Sequence, residues 1–303
     1  MYQGAKLIGV AVTLGLVAGP VAFACVGLVA SRRAPAESGM PWNWKLTISS
    51  TLLYTLAFNT TFFIQELFLV LPKALTPGLR PTLFHNNHSW QGDNPLVGLL
   101  QGTGALAIFL TAVSCTLVLR RGAGRSRTTR LLLIWMTYNG FLQSLPQVIV
   151  GAVVPENDVG MAMNYLHFGT TAKTAAALIA LTAIAVISSW LTVQLLGLAP
   201  EKAQISTPKA RTRFIFQVAT LPALSAIPLI VLFRVPRNFI EVVIVPVVVT
   251  VVGIAWIQAT AWRASKATPA ANLSPISMAY PLYAVLILLL VFQILLRPGV
   301  HFY

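Results

Sequence analysis

The sequence predicts an all-α fold, a polytopic transmembrane helical bundle of about eight helices with both termini on the non-cytoplasmic side. Composition is the first observation behind this prediction: the 303-residue chain is 56% hydrophobic and only 9% charged, whereas soluble domains carry about 25% charged residues. The mean hydropathy of +0.77 agrees with it. The apolar residues also form continuous runs, and do not alternate with polar residues as they do in transmembrane barrels.

Each apolar run is long enough to cross a bilayer as a helix, which takes about 17–25 residues. The first run is too long for the apolar part of a secretory signal, and no small-x-small cleavage site follows it, so we expect an uncleaved helix. The predicted segments are Leu7–Ala30, Leu46–Leu71, Leu96–Leu119, Leu131–Val154, Thr174–Leu198, Phe214–Phe233, Ile240–Trp262 and Pro275–Leu296.

Lysine and arginine residues predict the orientation, because basic residues in short loops stay on the cytoplasmic side. Of the 21 basic residues, 14 fall in the first, third, fifth and seventh connections and 7 on the opposite side. We therefore expect both termini outside the cytoplasm, in a protein of a bacterial cytoplasmic (inner) membrane. The net charge of +14 then needs no nucleic acid, because basic loops also attract anionic lipid headgroups.

We expect one integral membrane domain over residues 1–303. No connection is long enough for a soluble domain, and no internal repeat of the kind found in duplicated transporters is visible. Polar residues concentrate in helices two to four and their outer loops, residues 31–171. Residues 172–303 are mainly apolar and are expected to act as scaffold.

The second predicted helix carries the strongest candidate for a catalytic residue. Thr55, Asn59, Phe62 and Glu66 follow at spacings of four, three and four, so they share one helix face. An ionisable residue inside a membrane span needs a partner or a protonated state, and it is a functional candidate by default. We therefore predict that Glu66 is a general base or a ligand.

The fourth predicted helix adds a polar stripe, in which Asn139, Gln143 and Gln147 recur at every fourth position. Gln101 lies near the outer end of the third helix at a similar depth. One interpretation is a pocket in which these amides bind a polar ligand or water. The other is that they hydrogen-bond between helices and hold the bundle together.

All four histidines and five of the seven acidic residues fall on the outer side of the membrane in the predicted topology. Imidazole and carboxylate groups are the usual zinc ligands. His85, His88, Asp158 and His167, with Glu66 below them, therefore form a candidate site for a divalent metal such as zinc. The alternative is a polar cap at the level of the lipid headgroups, where amphipathic side chains gather.

Three functions remain open from the sequence. The first is an outward-facing polar pocket that binds a metal or a polar ligand and carries out hydrolytic chemistry. The second is a non-catalytic accessory subunit that packs against other membrane proteins. The third is a small-solute transporter with Glu66 as the proton-coupling carboxylate, which the missing repeat disfavours.

Overall fold

The computed structural model describes residues 2–32, 42–122, 126–270 and 273–303. Seven of its helices are long and apolar enough to cross a membrane by length and composition, as expected of a helical membrane protein. Two of the basic residues behind the predicted orientation, Arg33 and Arg125, lie outside the described residues. The main helices in chain order are α1 (Gly4–Arg32), α2 (Trp44–Ala74), α3 (Val97–Arg120), α4 (Arg127–Val153), α5 (Asp158–Tyr165), α6 (Thr170–Leu196), α7 (Pro208–Arg234), α8 (Ile240–Arg263) and α9 (Ala279–Leu296).

Side-chain caps fix where several of these helices begin. The side chains of Asn43, Ser126, Asn157 and Thr207 accept hydrogen bonds from the first free backbone amides of α2, α4, α5 and α7. Such caps satisfy donors that have no partner within the helix. The sequence thus encodes the starts of the helices as well as their apolar faces.

Helix α4 corresponds to the predicted segment Leu131–Val154 but is absent from the seven apolar helices. It packs between α2, α3 and α6, so its polar face is turned toward protein. Asn139 is fully buried and Gln143 nearly so. At its first turns the Arg130 guanidinium donates to Gln194 Oε1 (3.3 Å) near the end of α6. The two helices therefore run antiparallel, side by side.

A small sheet closes one end of the bundle, which we call the sheet end. Strand β1 (Arg80–Leu83) lies between β2 (His88–Gln91) and β3 (Val300–His301), and both pairings are antiparallel. The predicted outer loop after α2 therefore contains a hairpin, and the C-terminal residues join it. The first turn of α1 lies at the same end, because Gly4 packs against Thr170 and Thr174 at the start of α6.

Buried aromatic residues lock α2 against α4 and α8. The Tyr54 hydroxyl lies 2.9 Å from Thr250 Oγ1, and the Tyr138 hydroxyl donates to the Thr250 carbonyl (2.7 Å). The Trp135 indole donates to Ser50 Oγ (3.0 Å). Because each of these polar atoms has a partner in the apolar interior, the bonds fix the helices in one arrangement. They hold α2, the helix that carries Glu66, in the middle of the bundle.

Candidate functional site

Glu66 and His88 form a buried pair at the sheet end. Glu66 belongs to the last third of α2, and β2 places the imidazole of His88 directly over it. His88 Nδ1 lies 2.8 Å from Glu66 Oε2, and both side chains are less than one-tenth exposed. Because a carboxylate only accepts hydrogen bonds, the Nδ1 proton of His88 is the donor. The sequence named both residues as site residues, and the structure brings them together.

Lys73 completes this arrangement from two turns further along α2. Its ammonium is fully buried and lies 2.7 Å from the Leu69 carbonyl, 2.8 Å from Gln101 Oε1 and 3.4 Å from His88 Nε2. An ammonium has three donors, and these three acceptors match them. His88 Nε2 also lies 3.3 Å from Gln101 Oε1, so its role as donor or acceptor depends on the tautomer. With the ring proton on Nδ1 alone, the ring is neutral and Nε2 accepts from Lys73.

Trp90 covers the pair from the same face of β2, because it lies two residues after His88 in the strand. Its ring stacks on His88, with centroids 5.8 Å apart and an interplanar angle of 16°. The Lys73 ammonium lies 4.9 Å from the centroid of the same ring. An aromatic face attracts a cation at this distance, most strongly where water is excluded. Trp90 thus shields the cluster and stabilises the charge of Lys73.

Asp158 adds a second carboxylate at the beginning of α5. Burial raises the pKa of the Asp158 carboxyl above its ordinary value, and the negative charge of Glu66 raises it further. Interactions with His88 and Lys73 lower the pKa in part. The pKa of Asp158 therefore depends on all three of these side chains. We call Glu66, Lys73, His88, Gln101 and Asp158 the Glu66 cluster.

The other two predicted metal ligands lie elsewhere. His85 Nε2 lies 3.2 Å from the Val235 carbonyl in the connection between α7 and α8. Burial lowers the pKa of His85, as do the positive charges of nearby arginines. His167 is exposed in a left-handed conformation (φ 56°) after α5. Within residues 2–32, 42–122, 126–270 and 273–303, no group of three or more His, Cys, Asp or Glu could hold a metal ion.

The ammonium of Lys73 lies beside His88 Nε2, the nitrogen through which His88 would bind a metal ion. It contacts His88 Nε2 directly, and the charges of Glu66 and Asp158 act on it. The chain thus supplies its own cation next to His88. The metal site therefore stays a prediction, and the described residues do not bring its predicted ligands together.

The polar stripe of α4 is used in hydrogen bonds to α2 and within α4 itself. Gln147 Nε2 donates to Gln65 Oε1 (2.9 Å), and Gln143 Nε2 donates to the Phe58 carbonyl (3.3 Å). Asn139 Nδ2 donates to the Trp135 carbonyl (3.0 Å) of its own helix. These bonds match the interhelical interpretation of the stripe. Gln101, in contrast, belongs to the Glu66 cluster through Lys73.

Three residues of this region were missed from the sequence: Lys73, Trp90 and Arg234. Lys73 lies seven residues after Glu66 and so on the same face of α2, but the predicted helix stops at Leu71. Arg234, at the end of α7, places its guanidinium 4.2 Å from the centroid of the Phe62 ring. Phe62 lies one turn before Glu66, so this arginine also approaches the cluster.

No protein-family model, curated protein or solved structure matches this chain. The chemistry of the site therefore rests on its side chains. A histidine held by a carboxylate on one nitrogen offers a basic lone pair on the other, which is the arrangement of a general base. A neighbouring ammonium can return a proton, so the Glu66 cluster has the parts of an acid–base relay.

Proposed function

We propose that this protein crosses the membrane eight times, with α4 as the fourth crossing and the sheet end on the non-cytoplasmic side. Support comes from α4, which runs antiparallel to α6 over the same depth, and from the two chain ends, which both lie at the sheet end. The bias of basic residues toward the opposite end supports the orientation and contact with anionic lipid headgroups there. A bacterial cytoplasmic membrane fits this arrangement.

We propose further that the Glu66 cluster is an acid–base site that acts on a polar ligand arriving from the non-cytoplasmic side, with hydrolysis as the reaction class. The observation that carries the proposal is the hydrogen-bonded chain from Glu66 through His88 to Lys73. A buried carboxylate, imidazole and ammonium in one chain can move protons in either direction. A purely structural contact between Glu66 and His88 would not need Lys73.

The proposed steps conserve protons. A water molecule replaces the longest contact of the ammonium, the one between Lys73 and His88, and gives a proton to His88 Nε2 as its oxygen attacks the ligand. Glu66 stabilises the imidazolium through Nδ1, and Gln101 Oε1 lies 3.3 Å from Nε2, where it can accept the new proton's hydrogen bond. Lys73 gives a proton to the leaving group, and His88 then returns a proton to Lys73. The charge of Lys73 fills the role that the sequence assigned to a metal.

The test uses purified protein in nanodiscs with three chromogenic or fluorogenic probes: p-nitrophenyl acetate, bis-p-nitrophenyl phosphate and fluorescein-labelled casein. General-base catalysis contributes about 10²- to 10⁴-fold. We expect turnover of at least one probe to fall by about 10²-fold or more in His88→Gln and Glu66→Gln. His167→Asn is the matched control, because this histidine is exposed and asparagine tolerates its left-handed backbone. Equal turnover in all variants, or none with any probe, would contradict the hydrolytic proposal.

A proton-coupled transporter is the second candidate, because buried polar side chains continue inward from the cluster. Asn59 and Asn139 are fully buried midway along α2 and α4, and Asn59 Oδ1 has no hydrogen-bond partner. Buried amides in a membrane interior often line a path for ions or water. Protein in liposomes loaded with a pH-sensitive dye would show proton flux that Glu66→Gln abolishes. The absence of flux in wild type would exclude this candidate.

A further inference from the structure

Arg234 has a buried hydrogen-bond donor without a partner. The residue is only 4% exposed, and its Nε has no hydrogen-bond partner. Its guanidinium packs against the face of Phe62, at 4.2 Å from the ring centroid. A guanidinium carries five N–H donors in a planar fork. Donors in a buried position are costly to leave without acceptors, so this arginine calls for an anionic partner.

The neighbouring carboxylates are engaged elsewhere. Glu66 is bonded to His88, and Glu241 forms an ion pair with Arg237 one turn before it. These are the two contacts within 4 Å between an acidic side chain and a basic nitrogen in the described part of the chain, so Arg234 acts on Glu66 only across a longer distance. Lys73 is already matched by three acceptors of its own. Arg234 is therefore a cation near the cluster that, among the described residues, still has a buried donor without a partner.

We propose that Arg234 binds the anionic group of the ligand, so that the substrate class is a carboxylate- or phosphate-bearing molecule. This inference rests on the proposed function, because it assigns the ligand of that same site. Arginine binds carboxylate and phosphate oxygens through two parallel hydrogen bonds. Phe62 fixes the plane of the fork from one side. Since Phe62 precedes Glu66 by one turn of α2, an anion on Arg234 places the rest of the ligand beside Glu66 and His88.

The backbone of Arg234 is held in place by the turn between β1 and β2. Asn86 Nδ2 donates to the carbonyl of Arg234 (2.9 Å) and to that of Pro236 (3.2 Å). The turn that carries His85 and Asn86 is therefore tied to the end of α7. The same turn leads into β2 and His88. One short segment thus positions both the anion-binding arginine and the proposed base.

The anion could come from a soluble molecule or from a lipid headgroup, because α7 ends where a membrane surface would lie. The experiment measures thermal unfolding of the maltoside-solubilised protein by tryptophan fluorescence against rising concentrations of inorganic phosphate, acetate, dihexanoyl phosphatidic acid and neutral dihexanoylglycerol. A ligand that binds only the native state raises the unfolding temperature, and the stabilisation grows with the logarithm of one plus the ratio of ligand concentration to Kd. Phosphate or acetate alone indicates a soluble source, and preference for phosphatidic acid indicates a lipid.

We expect at least one anion to stabilise wild type, and Arg234→Gln to weaken that anion by about 10- to 100-fold. Arg234→Lys keeps the charge, loses the fork and should lie between the two. Arg297→Gln is the matched control, because Arg297 is an exposed arginine at the same end whose guanidinium contacts Gln293. Equal affinity in Arg234→Gln and wild type, or no stabilisation by any of the anions, would overturn the inference.

The inference and the proposed function fail in different ways. Anion binding that depends on Arg234 and persists in His88→Gln, without turnover of any probe, would keep the inference and remove the hydrolytic proposal. Turnover of the anionic probe bis-p-nitrophenyl phosphate that depends on His88 but shows the same KM in Arg234→Gln would keep the proposed function and remove the inference.

Discussion

Replacing Lys73 by methionine tests how the Glu66 cluster is held, because methionine keeps the chain length and removes the ammonium. The ammonium is 0% exposed and donates to the Leu69 carbonyl at 2.7 Å and to Gln101 Oε1 at 2.8 Å. Hydrogen bonds to a charged group contribute about 1.5–3 kcal/mol each, and the contact with Trp90 contributes about 0.5–1 kcal/mol. Removing one partner of a buried ionic group costs about 3–5 kcal/mol. We therefore expect Lys73→Met to lose about 3–5 kcal/mol of unfolding free energy.

The assay is denaturant unfolding of the solubilised protein followed by tryptophan fluorescence, with the free energy extrapolated to zero denaturant. Lys45→Met is the matched control, because Lys45 is an exposed lysine at the other end of the same helix. Its unfolding free energy should stay within about 0.5 kcal/mol of wild type. If Lys73→Met stayed within about 1 kcal/mol, well below the expected loss, the ammonium would not hold the cluster and the reasoning would be refuted.

Three further predictions follow from the same contacts. Trp90→Ala should cost about 2 kcal/mol, because it removes the ring that covers His88 and Lys73, and quicker hydrogen exchange at the cluster would accompany the loss. Burial raises the folded-state pKa of Asp158. Its contribution to stability is therefore full below its unfolded pKa and is lost as pH rises through the folded-state pKa. Asp158→Asn should raise the unfolding temperature at pH 7 and leave it unchanged at acid pH. The pH dependence expected for His85 is the opposite, because its folded-state pKa is lowered. Its contribution to stability is full above the unfolded pKa of about 6.5 and is lost as pH falls through the folded-state pKa. His85→Gln should flatten that part of the stability–pH curve.

The sequence predicted the positions of the helices because apolar length alone decides them. It also predicted Glu66 and His88 as site residues, because an ionisable group in or next to a membrane span is costly and is therefore a functional candidate. Helix α4 shows the limit of hydropathy: its polar residues face α2, so a helix buried inside the bundle is less apolar than one on its outside.

Two cations of this region, Lys73 and Arg234, could not be predicted, each for its own physical reason. The predicted second helix ended at Leu71, before Pro72, whereas the helix continues to Ala74 and carries Lys73 onto the face of Glu66. Arg234 reaches the same region through contacts with a turn 148 residues earlier in the chain. Periodicity within one helix carries no information about pairing at that distance. The histidines were consequently assigned to a metal site that the described residues do not assemble.

The most direct test of the proposed relay is the protonation state of His88, measured by nitrogen NMR of histidine-labelled protein in nanodiscs, with His88→Gln used to assign its signals. The hydrogen-bond chain predicts a neutral ring near neutral pH with its proton on Nδ1, hydrogen-bonded to Glu66, and with Nε2 accepting from Lys73. A neutral ring protonated on Nε2, or an imidazolium at that pH, would contradict the chain from Glu66 to Lys73 on which the proposed function depends.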